Sequence, residues 1–292
     1  MKVIENQEVE RLFPPTKNSA CSWLDKIGRT CYRSEPDETK AVDFLTMIFN
    51  RGHWSVFEHL WCKFDMQYLS PKDQEFLSLN KFVYIKGVMV YMNLRTMVEI
   101  LKSYGSYPHT LKFSIYNFLN ELGLEWFVEQ KAIMFGIYPP IEIADTNETY
   151  TFDIYTDRGV THEFVRHRKL FSYSQESTRY CNYGKDKFGS SISYMLPVWF
   201  KDKELLNHAE RLKNWEKGCR EDEKCYFREL DAGGSPQTGR QNLNNSLATK
   251  IVVTAPIQSW NLFLSVRTDE KTVHPQMLEI AMMIKQKIFP VI

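Results

Sequence analysis

Arg166-His167-Arg168-Lys169-Leu170-Phe171-Ser172-Tyr173-Ser174-Gln175-Glu176-Ser177-Thr178-Arg179-Tyr180 sets four cations, Arg166, Arg168, Lys169 and Arg179, within fourteen positions, with His167 between the first two. Arginine presents a planar fork of donors that matches phosphate or a planar carbonyl-bearing ring. The residues leading in from Gly159 have helical spacing, and on a continued helix Arg166 and Arg168 would project from nearly opposite sides. Either the helix stops here or the two arginines serve different ligands. A charge cluster is ordinarily a solvated loop. Phe171, Tyr173 and Tyr180 are interleaved here, and a purely solvated run has little use for them.

Working outward, residues 149–155 are rich in β-formers and predict a strand, after which Asp157-Arg158-Gly159 leads into the helix that ends near Arg168. Downstream, 191–198 reads as a short strand closed at Pro197. A long polar helix follows over about 201–230, broken by Asp231-Ala232-Gly233-Gly234. Ser235-Pro236 is a start signal, a capping residue with proline in the first helical position. Residues 250–254 are strand-like, and helices over 256–266 and 273–288 close the chain. Toward the N-terminus, 18–32 and 37–51 space their apolar residues as helices, the second stopped by Gly52. Residues 57–68 alternate as a strand. A second strand over 82–92 runs into a helix at 93–103, and helices over 111–122 and 125–135 end at Gly136 and Pro139-Pro140. The expected fold is one α/β domain of the α+β type over 1–292. Its mixed or antiparallel sheet is flanked by helices, with a helical elaboration at about 71–148.

At 292 residues the chain buries a sizeable core, and 43% apolar with 25% charged residues is ordinary for a soluble protein. A net charge of +1 gives no global basic field, which argues against bulk nucleic-acid binding, so any anion site is local. The six cysteines form no Cys-x-x-Cys pair and follow no secretory signal, the pattern of reduced thiols in a cytoplasmic protein. No apolar run approaches the roughly 18 residues of a membrane span. The best candidate, 82–92, is cut by Lys86.

Two further segments hold chemistry-bearing residues. Gly52-His53-Trp54-Ser55-Val56-Phe57-Glu58-His59 joins a helix to a strand. Its histidines fit no common zinc spacing, and buried hydrogen bonds for Glu58 and His59 are at least as good a reading. Ser235-Pro236-Gln237-Thr238-Gly239-Arg240 places a cation in the first turn of a helix, where backbone N–H groups favour anions. Arg267 ends a largely apolar helix, by default a surface residue that complements the helix dipole. Arg240 and Arg267 stand 27 positions apart (240 to 267).

These segments together resemble the flavin-dependent thymidylate synthases. The family signature reads Arg-His-Arg, seven residues, Ser-x-Arg-Tyr; here Ser177-Thr178-Arg179-Tyr180 completes it after eight residues, one more than usual. Residues 52–59 are similar to the family's Gly-His-x-(Ser/Thr)-x-Phe-Glu-His segment, and the 27-residue arginine spacing is also shared. Departures are Gln175-Glu176 in swapped order, Glu163 in place of glutamine, and Pro256 and Leu262 at two positions commonly asparagine. The resemblance implies FAD reduced by NADPH, methylenetetrahydrofolate as carbon donor, dUMP as acceptor, and a homotetramer with shared sites. It implies that Arg267 stabilises the ionised pyrimidine and that Glu163, Arg166, Gln175, Glu176, Ser177, Arg179 and Arg240 hold the nucleotide. His53, Ser55, Arg166, His167, Arg168, Gln175, Gln258 and Asn261 would contact the flavin. No metal ligand is implied.

The residues themselves agree with that chemistry. Methylating C5 of uracil needs a nucleophilic C5, a one-carbon donor and a hydride, and the absence of a Pro-Cys-His nucleophile motif is consistent with a reduced flavin as the hydride source. No base stands beside Ser177, so it reads as a binding hydroxyl. No Gly-x-Gly-x-x-Gly or P-loop pattern occurs. The alternatives are a related methyl- or hydroxymethyltransferase on another pyrimidine nucleotide, or a nucleic-acid-binding module built on the arginine-rich loop. Arg95, at the start of a helix in the elaboration, reads as an ordinary surface residue.

Overall fold

A computed structural model of the chain describes residues 1–103, 109–127, 139–185 and 189–290. Its strands are β1 (Lys2–Ile4), β2 (Glu8–Leu12), β3 (Trp61–Asp65), β4 (Val83–Lys86), β5 (Met89–Asn93), β6 (Glu142–Ile143), β7 (Thr149–Asp157), β8 (Ser172–Gln175), β9 (Ser193–Met195) and β10 (Ala248–Pro256). Its helices are α1 (Ala20–Thr30), α2 (Ala41–Asn50), α3 (Pro71–Leu79), α4 (Leu94–Ser103), α5 (His109–Glu121), α6 (Arg158–Phe164), α7 (His208–Asp231), α8 (Pro236–Gly239), α9 (Ile257–Arg267) and α10 (Pro275–Ile288).

The sheet that positions the site is antiparallel, in the order β2-β7-β10-β8. β7 and β10 pair along their whole length, from Thr149 opposite Pro256 to Asp157 opposite Ala248, and β8 pairs with the middle of β10. Alternation follows from the strand period of two. Tyr150, Phe152 and Ile154 of β7, with Ile251 and Val253 of β10, point to one face and pack on Trp260 and Phe263 of α9 and Met277 and Ile280 of α10. Fully burying side chains of this size contributes about 1.5–3 kcal/mol each. Leu12 and Val252 lie on the opposite face beneath Ile27 of α1. That face also holds a polar layer. His59 is buried, with Nδ1 2.7 Å from the Thr254 hydroxyl and Nε2 3.0 Å from that of Ser174.

A second antiparallel sheet, β4-β5-β3-β6, is built mostly from the region expected to be an elaboration. Met92, Met97, Leu111 and Ile115 share one apolar cluster with Leu24 of α1 and Leu45 of α2. The segment therefore packs into the same core as the N-terminal helices.

Several boundaries differ from expectation. Of 57–68 only β3 is strand, because Trp54–His59 winds into a 3₁₀ turn and Met66–Tyr68 into another. Residues 82–92 form the β4–β5 hairpin, turning at Gly87 (φ 60°). The long polar helix starts at His208, after Asn207 in a left-handed conformation (φ 56°). Helix α3, capped by the Ser70 hydroxyl, and strands β1, β2, β6 and β8 were not expected. β1 pairs with β9 in parallel, the mixed arrangement within the expected range. Of the helix expected over 125–135, Glu125–Phe127 is a 3₁₀ turn, and 128–138 lie outside the described residues.

Candidate active site

Helix α6 is launched by Asp157, whose side chain accepts from the Val160 N–H at 2.7 Å, and it ends at Phe164. The helix thus stops before the arginines. Arg166 and Arg168 are exposed, while His167 turns inward. The chain then reverses through Leu170 (φ 61°) and enters β8, so the signature is a helix end, a turn and a strand.

His167 meets Arg267 across a hundred positions. The Arg267 Nε–H donates to His167 Nε2 at 2.9 Å, and Nη1 donates to Glu163 Oε2 at 2.5 Å. A ring nitrogen that accepts carries no proton, so His167 is neutral with its proton on Nδ1. Burial, and then the Arg267 charge, push its pKa down to about 4. The ring packs edge-on against Phe263, 4.9 Å between centroids. Arg267 is only 16% exposed and ion-paired, not the free surface cation its place at a helix end suggests.

A second group surrounds a cavity of about 340 Å³ lined by Tyr32, His53, Ser55, Arg95, Gln175, Ser177 and Tyr180, among others. The Tyr32 hydroxyl lies 3.0 Å from His53 Nδ1, and its ring stacks on Tyr180 at 5.4 Å. His59 fastens the 3₁₀ turn that presents His53 and Ser55. Complete burial pushes its pKa to about 3, so it is a neutral structural histidine. Ser172 adds a hydroxyl bond to the Glu58 carbonyl at 2.9 Å. Arg95 departs from expectation: it lines the cavity and donates to Glu58 at 2.6 Å and Glu99 at 2.8 Å. Among the described residues, no group of three or more His, Cys, Asp or Glu is placed to hold a metal ion.

The remaining site candidates are dispersed by the alternation of β8 and the turn after it. Gln175 donates to the Thr161 hydroxyl at 2.9 Å, and the Ser177 N–H to the Cys31 carbonyl at 3.0 Å. Glu176 points away from their cavity, fully buried. It accepts from the Tyr183 hydroxyl at 2.9 Å and faces Arg33 at 3.6 Å. Arg179 is exposed and donates to Gln237 at 2.9 Å. The expected anion seat at a helix start does not form around Arg240, because α8 is only four residues long and Arg240 follows its end. Arg240 instead lines a cleft of about 300 Å³ with Arg158, His162 and Thr178. Glu163 and Arg166 line a neighbouring cleft of about 370 Å³, and the two share His162 and Asn245. On α9, Asn261 is exposed, whereas both amide atoms of Gln258 are buried without a partner among the described residues. Tyr32, Arg95 and Arg158 were not among the expected site residues. Arg95, just after a predicted strand, and Arg158, between a predicted strand and helix, had sequence positions that hinted at one.

The sequence profile of the family described as thymidylate synthase complementing protein (Thy1) matches residues 140–291. The chain is 31% identical to a flavin-dependent thymidylate synthase of Pyrococcus abyssi over 125 residues, 42% of this chain and 48% of that one. To one of Aquifex aeolicus it is 21% identical over 86% of this chain and 88% of that one. At 30–31% identity, the chain spans about half the length of the curated relatives it matches. A crystal structure of a UMP/dUMP methylase from Streptomyces cacaoi, bound with 5-Br dUMP, is 14% identical and covers 98% of this chain and 91% of its own. Its TM-score is 0.45, too loose a likeness to add to the assignment. The profile spans just over half of the 292 residues and takes in α6, the signature, Arg240 and Arg267. The chain therefore belongs to the thymidylate synthase complementing protein family.

Proposed function

We propose that this chain is a flavin-dependent thymidylate synthase, converting dUMP to dTMP with methylenetetrahydrofolate as carbon donor and NADPH as reductant of FAD. The observation that carries the reading is the Glu163–Arg267–His167 cluster. A guanidinium held through Nε and Nη1 leaves Nη2 without a hydrogen-bond partner among the described residues, in a fixed direction, for a pyrimidine ring that gains negative charge. Preorganised cations stabilise such charge without reorganising as it develops. His167 serves here as a neutral acceptor and does not repel the cation it orients.

The residues fit a flavin. The orphaned Gln258 amide needs hydrogen-bond partners that a flavin ring edge supplies. His53 and Ser55, with the paired Tyr32 and Tyr180 rings, suit a planar conjugated ligand. Arg166, His167, Arg168, Gln175 and Asn261 are the further residues that would hold it. When bound, FAD supplies the hydride that reduces the transferred carbon. A cavity of about 340 Å³ stands at the low end of ligand sites, roughly 300–1,000 Å³, so a dinucleotide would extend past it. Ser177, Arg179 and Arg240 would hold the nucleotide phosphate, and Glu163, Arg166 and Arg267 its ring. Their separation into different clefts supports a homotetramer in which a second copy completes each site.

The test is reconstitution. With saturating FAD, the protein should show a flavin spectral change and form dTMP from dUMP, methylenetetrahydrofolate and NADPH, and His53→Ala should bind FAD more weakly. Absence of both the spectral change and dTMP would overturn the reading. The Glu163 carboxylate, already engaged by Arg267, keeps a second reading open, in which another pyrimidine nucleotide is preferred. Turnover of UMP exceeding that of dUMP would select it.

A further inference from the structure

We infer that Arg158 is a phosphate-binding residue, forming with Arg240 a two-guanidinium seat for the monoester phosphate of the nucleotide. The inference rests on the nucleotide site proposed above and adds a residue to it.

The two arginines line one cleft of about 300 Å³, whose other polar lining is Thr178, His162, Gln241, Asn244 and Asn245; no carboxylate lines it. Among the described residues Arg158 has no carboxylate at ion-pair distance. Its side chain instead donates from Nη2 to the Thr178 hydroxyl at 3.0 Å. Arg29, Arg95 and Arg267, by contrast, each hold an aspartate or glutamate within 2.8 Å. Burial is the largest influence and disfavours the Arg158 charge; Tyr183 and Glu176 favour it, and Arg240 disfavours it by less. Arginine does not shed its proton under such pressure. A partly buried, unpaired guanidinium beside a second one is costly without an anion. A phosphate monoester supplies two charges and three acceptor oxygens, enough for both forks.

The backbone under Arg158 is fixed, since its N–H donates to the Leu247 carbonyl at 3.1 Å and that of Gly159 to Asn245 at 3.1 Å. Thr178 lies inside the signature between Ser177 and Arg179, so its hydroxyl ties Arg158 to the segment already assigned to the nucleotide. The lysine variant keeps the charge but loses the fork, which separates bidentate recognition from simple attraction.

The experiment is calorimetric titration of the FAD-reconstituted full chain with dUMP and with deoxyuridine, for wild type, Arg158→Met and Arg158→Lys, with thermal unfolding as a folding control. Arg158→Met should weaken dUMP roughly ten- to hundredfold, as expected for loss of charge-assisted bonds, and change deoxyuridine less than about twofold. Arg158→Lys should fall between, and it decides the matter if the methionine variant does not fold. A folded Arg158→Met protein with dUMP affinity within about twofold of wild type, or equal losses for both ligands, overturns the inference. Wild type that does not bind dUMP, yet is stabilised by inorganic phosphate in an Arg158-dependent manner, would reject the nucleotide reading and keep the anion seat.

Discussion

Arg267 and Arg158 are both partly buried arginines beside the same helix, and they stand in opposite electrostatic situations. Arg267 is balanced by Glu163 and aimed by neutral His167, so it is complete before any ligand arrives. Arg158 donates to a threonine hydroxyl and has no carboxylate at ion-pair distance among the described residues, with a second arginine on the same cleft. A balanced, oriented cation suits charge that appears during a reaction, because its pose does not depend on the ligand's ground-state charge. An unbalanced pair suits charge the ligand already brings. On the proposed function, the contrast would give transition-state work to Arg267 and ground-state binding to Arg158.

The comparison breaks most readily at Arg267. On the proposed reaction, Arg267→Ala should lower kcat by about 10²–10³-fold, with flavin affinity nearly unchanged. Near-wild-type turnover in steady-state assays would remove its role. Arg240→Ala sharpens the other side: KM for the nucleotide should rise roughly ten- to hundredfold, with kcat altered far less. A variant that lost kcat and kept KM would reverse the two assignments.

A third test uses pH. His167 and His59 have folded pKa values pushed down to about 4 and about 3, below the ordinary 6.5. A depressed folded pKa contributes stability that is fully present above pH 6.5 and is lost as pH falls through the folded values. The thermal unfolding midpoint should therefore decline from pH 6.5 toward 4, and His167→Asn should flatten part of that decline. An unchanged slope in the variant would mean that His167 is not held neutral. The smallest effect belongs to Arg95, whose ion pairs are partly exposed. Arg95→Ala should lower stability by about 0.2–1 kcal/mol and loosen FAD binding through the turn that carries Glu58. A flavin affinity unchanged within error would return Arg95 to a purely surface role.

Much of the central sheet was legible because its signals are local. The β-branched and aromatic residues of 149–155 and 250–254 fell inside β7 and β10, and the apolar spacing of the last two helices matched α9 and α10. Residues 57–68 misled because alternation counts apolar residues and ignores where polar ones find partners. His59 is buried only because Thr254 and Ser174 satisfy it, and both lie more than a hundred positions away. Residues 82–92 misled because the apolar run continues through a turn at Gly87. At the site, Arg166, His167 and Arg267 were legible as residue types at family spacing, whereas Glu176 faces the other side because strand alternation reverses direction at each residue.

The sequence by itself determined the ingredients: a near-neutral net charge of +1 that confines any anion site to a local cluster, the strands and helices with strong periodicity, and three arginine-bearing segments. Tertiary structure alone decided which arginines are paired. The full-length antiparallel register of β7 on β10 brings the end of α9 back to the end of α6, so Arg267 meets Glu163 and His167. The same register brings the Asn245–Leu247 backbone under Arg158 and leaves it no carboxylate at ion-pair distance among the described residues. Charge pairing depends on distances of a few ångströms between residues a hundred or more positions apart, and local preferences along the chain do not encode such distances.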